Sequence, residues 1–226
     1  LKELKVDDNE SERSSKSIYN AHIRENYQRN NLINGISKAD ENDLILISDV
    51  DEIPNFNSIN ASAIKNNILI FEQYIFYYKL NRFLKGFTWY GTKGCKKKIL
   101  KSPQWLRNVK NKKFNFWRLD TLLSNTKYVN KIFVKRGGWH FSNIKLPNDI
   151  ELKLNSYLHH YDFSVEKMDI KKISSLIKSN ETIYDMFADK REKKFANNRR
   201  KLEIFDFNKL PEYIKKNEMK FKDWID

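Results

Sequence analysis

Leu44-Ile45-Leu46-Ile47-Ser48-Asp49-Val50-Asp51-Glu52-Ile53-Pro54 decides how this chain is read. Four consecutive aliphatic residues are too few to cross a membrane and suit a strand buried on both faces. The run stops in three crowded carboxylates, Asp49, Asp51 and Glu52, and then at Pro54, which cannot continue a hydrogen-bonded ladder. Ligands of open α/β sheets collect at the carboxyl ends of such strands. Carboxylates this close repel one another unless a positive charge sits among them, and a hard divalent cation carrying phosphate oxygens is the usual partner. A solvated acidic turn after a core strand is the competing reading, but turns seldom gather this much like charge. Asp49 and Asp51 fall on one side of an extended segment, where two carboxylates can share one Mn²⁺ or Mg²⁺. Such an ion would neutralise a departing nucleoside diphosphate.

Composition sets the bounds. A chain of 226 residues with 14% aromatic residues can bury a real core, which excludes disordered and collagen-like classes. The single cysteine, Cys95, excludes an internal disulfide framework and a cysteine-based zinc site. No apolar stretch approaches the roughly 18 residues of a spanning helix. The chain opens on Leu1 rather than Met, and an N-terminal targeting or anchoring segment upstream is expected. A net charge of +14, from 43 Lys+Arg against 29 Asp+Glu, favours polyanions, anionic surfaces or phosphate-bearing small molecules. The clusters Lys96-Lys97-Lys98, 110–113 and 191–194 read as solvated faces before they read as binding sites.

Periodicity predicts a helix over 14–36 with Gly35 as its cap, a strand at 44–48 and a short helix at 61–67. One or two strands follow over 68–80, an aromatic loop over 86–94, a short strand beginning at Ile99 and Leu100, and a helix opened by Ser102-Pro103. A strand over 128–135 ends at Gly137-Gly138-Trp139-His140-Phe141-Ser142. Helices are expected over 151–159, 164–178, 181–199 and 211–225, with 206–210 as a connector. The outcome is an α/β class, a mixed sheet flanked by helices with a helical C-terminal region. No clean linker interrupts 1–226, which reads as one domain.

The glycine-rich segment is the second constellation. Paired glycines let backbone approach a ligand, Trp139 offers a flat face for a sugar or base, and His140 a nitrogen that ligates metal or moves a proton. A strand-end turn with a core tryptophan and a satisfied histidine is the plainer alternative. His159 and His160 are adjacent, so a helix cannot aim both at one metal, and one of them is expected to project into the site. His22 reads as core or surface. The chain lacks a nucleophile elbow, a phosphate-cradling G-x-x-x-x-G-K loop and G-x-G-x-x-G, so its chemistry should rest on a metal or on acid and base groups.

Ser48-Asp49-Val50-Asp51-Glu52-Ile53-Pro54 resembles the signature of glycosyltransferase family 17, whose known activity is that of β-1,4-mannosyl-glycoprotein 4-β-N-acetylglucosaminyltransferase. Further segments resemble the family in the same order: Arg24 to Asn30, Phe76 to Asn81 with Trp89 and Gly91, Ser102 to Arg107, Gly137 to Ser142, Lys153 with Ser156 to His159, and Leu210 to Ile214 with Asn217. The resemblance implies a GT-A-like fold, a UDP-sugar donor such as UDP-GlcNAc, Mn²⁺ or Mg²⁺, a glycan acceptor and inversion at the anomeric centre. It implies that Asp49 and Asp51 hold the metal and the diphosphate or ribose, that Glu52 supports that shell or the donor sugar, that His140 is a third-ligand candidate and that His159 lines the pocket. Inversion needs a general base, for which Glu52, Asp149 and Glu151 are the candidates. The resemblance also implies an N-terminal region upstream of Leu1 that carries part of the nucleotide site and any membrane anchor. Where the family places an acid two residues after the later histidine, this chain has Tyr161 and then Asp162. Two other classes compete. A haloacid-dehalogenase-like phosphatase also presents D-x-D after an apolar strand, but Ile53 stands where that class wants Thr or Val. A basic nucleic-acid-binding module would find the three acids counterproductive.

Overall fold

In the computed structural model, which describes residues 1–60, 64–115, 117–156, 168–187 and 199–226, Leu44–Ile47 forms a strand, β1. With it in one mixed sheet are β2 (Glu52–Pro54), β3 (Ile68–Tyr77), β4 (Arg82–Phe83), β5 (Trp89–Lys96), β6 (Lys131–Ser142) and β7 (Glu203–Ile204). β3 is the axis. It runs parallel to β6 from Ile68 opposite Lys131 to Tyr77 opposite Ser142, and antiparallel to β5 on its other side. β1 lies beyond β5 and β2 beyond β6, both antiparallel, while β4 pairs with the end of β3 and carries β7. The helices are α1 (Glu10–Asn30), α2 (Pro103–Asn108), α3 (Leu119–Leu122), α4 (Pro147–Ser156), α5 (Ile170–Ser179), α6 (Glu212–Lys216) and α7 (Glu218–Phe221). The α/β class and the mixed, helix-flanked sheet are as the sequence predicts.

β3 is central because its sequence is apolar on both faces. Ile75 and Tyr77 pack on one side with Ile150 and Leu154 of α4 and Ile173 and Leu176 of α5. Phe76 packs on the other with Phe205, Leu210 and Ile214. Each of these fully buried side chains contributes about 1.5–3 kcal/mol relative to exposure. α5 is a short amphipathic helix with defined ends. The Asp169 side chain accepts from the Lys172 N–H at 2.8 Å, and Asn180 closes it in the left-handed conformation at φ 56°. Among the described residues no helix is long and apolar enough to cross a membrane.

Several elements differ from the sequence reading. β1 buries Ile45 and Ile47 fully, but Leu44 and Leu46 only in part, so one face alone is closed. Gly35 lies inside a 3-10 turn, Asn31–Ile36, and the cap of α1 is Asn31. Of the helix expected at 61–67, residues 61–63 lie outside the described residues, and 64–67 form no helix. The aromatic loop over 86–94 is largely strand β5. Its glycines sit under neighbouring side chains, a Cβ on Gly94 falling 2.3 Å from Leu46 Cδ2. Ile99 ends a 3-10 turn, Lys97–Ile99, instead of opening a strand. Pro54 does not end the ladder before it starts: it is the last residue of β2, opposite Gly138. β6 continues through the paired glycines to Ser142, and α4 starts at Pro147, four residues ahead of expectation. The described part of 181–199 is no helix, and 211–225 breaks into two short helices and a 3-10 turn.

Candidate active site

The acids leave β1 on a tight turn. The Glu52 N–H donates to the Asp49 carbonyl at 3.0 Å, and the Asp49 N–H to Glu52 Oε2 at 3.1 Å. Asp49-Val50-Asp51 is therefore a turn with Val50 exposed at its tip, not the extended segment its alternation suggests. The Phe141 N–H donates to the Asp51 carbonyl at 2.8 Å and fastens the turn to β6.

Two arginines meet the negative charge. Arg107, at the end of α2, donates from Nη1 and Nη2 to the two oxygens of Glu52 at 3.1 and 3.2 Å, from Nη2 to Asp49 Oδ2 at 2.6 Å and from Nη1 to the Gly91 carbonyl at 2.7 Å. Arg29 of α1 donates to Asp49 Oδ1 at 3.3 Å and to Glu25 at 2.8 Å. Paired forks of this kind are the strongest charge-assisted hydrogen bonds. α2 is held in place from both ends. The Ser102 hydroxyl caps its start by accepting the Trp105 N–H at 3.1 Å, and the Lys93 ammonium donates to the carbonyls of Arg107 and Val109 at its finish. Burial pushes Lys93 down to about 7, and the charge of Arg107 adds to the effect.

His140 stands opposite Glu52 on β6. Its ring stacks on Trp89 at 4.3 Å and 7°, and the Trp89 indole N–H donates to Glu52 Oε1 at 3.0 Å. Its Nε2 lies 3.3 Å from Asp51 Oδ2, while its buried Nδ1 has no hydrogen-bond partner among the described residues. Burial alone would raise the Asp51 carboxyl, but the bond from His140 and the charges of His140 and Lys153 outweigh it and hold the carboxyl below its ordinary value. Lys153 of α4 donates to Asn143 Oδ1 at 2.9 Å, and burial lowers its affinity for a proton, against the pull of Asp51. Asn143 follows β6 in the left-handed region at φ 55°, the kind of local strain that accompanies ligand sites.

These groups surround a cleft of about 550 Å³, lined by Asp49, Asp51, His140, Trp89, Arg29 and Lys153 together with Glu25, Ser142, Asn143, Tyr184 and Met186. Asp49, Asp51 and His140 are thus brought together as expected. Glu52 lies beneath them, its side chain wholly buried, a strut that orients Arg107 and Trp89. Asp149 is exposed and neither it nor Glu151 lines the cleft. Trp139 points to the opposite face of the sheet, since it alternates with His140, and lines a different groove. His159, His160 and the segment 191–194 lie outside the described residues, and His22 sits on the exposed side of α1. The sequence reading gives Arg29, Arg107 and Lys153 no role in the site, and Trp89 only that of a possible sugar-stacking face. Their signal is that each falls in a segment resembling the family.

Among the described residues no group of three or more His, Cys, Asp or Glu side chains is arranged to hold a metal ion. Asp49 has both oxygens on guanidinium groups. Asp51 and His140 are another matter. Their 3.3 Å separation is near the about 3 Å between adjacent ligands of an octahedral ion with bonds of about 2.1 Å, and an imidazole beside a carboxylate is a donor set that Mn²⁺ accepts. These two residues fit a divalent cation, with the rest of its shell to come from substrate and water.

No curated protein and no solved structure matches the chain significantly. The model of glycosyltransferase family 17 matches residues 4–225 and takes in every residue that lines the cleft, from Glu25 to Met186. A match over all but the first three residues and the last shows the family: the chain belongs to glycosyltransferase family 17 and is a glycosyltransferase.

Proposed function

We propose that the enzyme is a metal-dependent, inverting glycosyltransferase of the GT-A type. It moves N-acetylglucosamine from a UDP-sugar to a glycan hydroxyl, with the donor diphosphate in the cleft before Asp51. One observation carries this reading: Asp51 and His140 face each other at 3.3 Å in the lining of a cleft that also presents Arg29 and Lys153. Asp51 and His140 would hold Mn²⁺ or Mg²⁺, which when bound supplies the Lewis acid for the leaving diphosphate.

The chain's own side chains do the rest. Trp89, fixed by Glu52, holds the imidazole plane so that Nε2 faces Asp51. Asp49 fixes Arg29 in the cleft wall, and with Glu52 it fixes Arg107 behind it. Lys153 lines the cleft beside Asp51 and Asn143, where its ammonium would add a charge-assisted contact to phosphate oxygens. Ile75, Leu154 and Met186 give the cleft apolar walls, which strengthen these electrostatic contacts. Membership of a glycosyltransferase family displaces the phosphatase reading. The acids lining the cleft speak against a nucleic-acid-binding module, because they would repel a phosphate backbone unaided by metal.

A thermal-shift panel tests the reading. UDP together with Mn²⁺ should stabilise the chain, and neither alone should do so. Stabilisation by aluminium fluoride with Mg²⁺, or by an oligonucleotide, in place of UDP with Mn²⁺ would overturn it.

A further inference from the structure

We infer that a second groove, on the sheet face opposite the cleft, binds carbohydrate: a few pyranose units of a glycan chain held away from the reacting centre. The inference rests on sugar transfer as the activity and not on the identity of the donor or the metal. The groove has a volume of about 740 Å³ and runs between β2, the middle of β6 and the segment 207–215. Phe56 and Tyr213 stand at its mouth, 65% and 60% exposed, and Trp139 and Tyr74 form its floor. Single exposed aromatics are ordinary, but four around one concavity mark a ligand site. Their negative ring faces attract the C–H edges of a pyranose, and the Trp139 wall is fixed because its indole N–H donates to the Lys209 carbonyl at 3.0 Å.

The polar groups are those that read hydroxyls. Asn57, Asn208 and Arg136 line the same groove, and planar amide and guanidinium groups match neighbouring hydroxyls two at a time. Arg136 sits at a bulge on the groove's edge. The pairing of β3 with β6 slips between Val134 and Gly138, and Arg136 is left at φ 51°. Its carbonyl is tied down by the Ser58 hydroxyl at 2.9 Å and the Asn55 amide at 3.3 Å. Bulges of this kind re-aim side chains, and left-handed strain at a residue with a side chain persists only where the surroundings hold it. Among the described residues the Arg136 guanidinium has no hydrogen bond or ion pair. The other cations are already matched, Lys209 by Asp206 at 3.3 Å and Lys215 by Glu212 at 2.8 Å. That leaves too little free charge for a phosphate backbone, and the amide rim is wrong for a lipid.

Isothermal titration of the full chain with triacetylchitotriose, mannotriose and 3′-sialyllactose tests the groove, with UDP and Mn²⁺ titrated separately into each variant. At least one trisaccharide should bind. Tyr213→Ala and Phe56→Ala, both at exposed positions, should each weaken it by about tenfold or more, whereas Asp51→Ala should bind it as the wild type does. Binding of none of the three, or loss in Asp51→Ala with retention in Tyr213→Ala, would overturn the proposal. UDP affinity reports on the donor reading alone, so the two can fail independently.

Discussion

The Arg107 guanidinium reaches Asp49, both oxygens of Glu52 and the Gly91 carbonyl, groups that lie 16 to 58 residues away along the chain. Removing it would strand the Glu52 carboxylate, which is wholly shielded from solvent. Arg107→Ala should therefore cost about 3–5 kcal/mol in urea unfolding. Arg107→Lys should recover part of that, because a point charge cannot make both arms of the fork. The crowded acids announced in the sequence that a positive charge was needed, and a metal was the local way to provide it. The fold provides two arginines, at Asp49, and sets Asp51 against His140 instead. No local pattern reveals such a pairing, since α1 and α2 meet the turn only through tertiary packing. The place of Asp51 and His140 in the cleft was legible, by contrast, because each lies within a strongly marked segment.

At the scale of elements, Gly138 decides how closely β2 can lie on β6. It has φ 138°, and a Cβ there would fall 2.1 Å from the Ile53 carbonyl oxygen and 3.0 Å from the Asn55 nitrogen. Backbone cannot step aside as a side-chain tip can. Gly138→Ala should lower stability by about 1–3 kcal/mol or more and loosen the turn that carries Asp51. Hydrogen exchange of the Phe141 amide, which donates to the Asp51 carbonyl, would register the loosening as faster exchange, and an unchanged rate would count against it. Glycines also explain which strands the sequence hid. Gly91 and Gly94 made β5 read as a loop, and Gly137-Gly138 made β6 end early, although in both strands the missing side chains are what allow close packing. β3 and α2 were plain, one from its unbroken aliphatic and aromatic run, the other from Ser102-Pro103.

At the scale of the whole molecule, the buried lysine beneath α2 gives stability a pH dependence. Lys93 has its proton affinity lowered to about 7 in the folded chain, against about 10.4 when unfolded. Between these values the unfolded state binds the extra proton, so this group's contribution to stability rises with pH, and below about 7 its cost is present in full. The Cys95 thiol, pushed up to about 12 by burial, acts in the opposite sense above about 8.5. The test is accordingly a difference: the stability of the wild type minus that of Lys93→Met should grow between pH 7 and 8.5 in urea titrations. A flat difference would show that Lys93 keeps its proton in the fold.

The family performs sugar transfer, and the proposed link between it and the cleft is a donor diphosphate bound through a cation at Asp51. Isothermal titration of UDP with and without Mn²⁺ addresses that link in wild type, Asp51→Ala and the nearly isosteric Asp51→Asn. Binding should require Mn²⁺ and should weaken by about a hundredfold or more in both variants while they keep the wild-type melting temperature. Mn²⁺-dependent UDP affinity that is unchanged in either folded variant would contradict it.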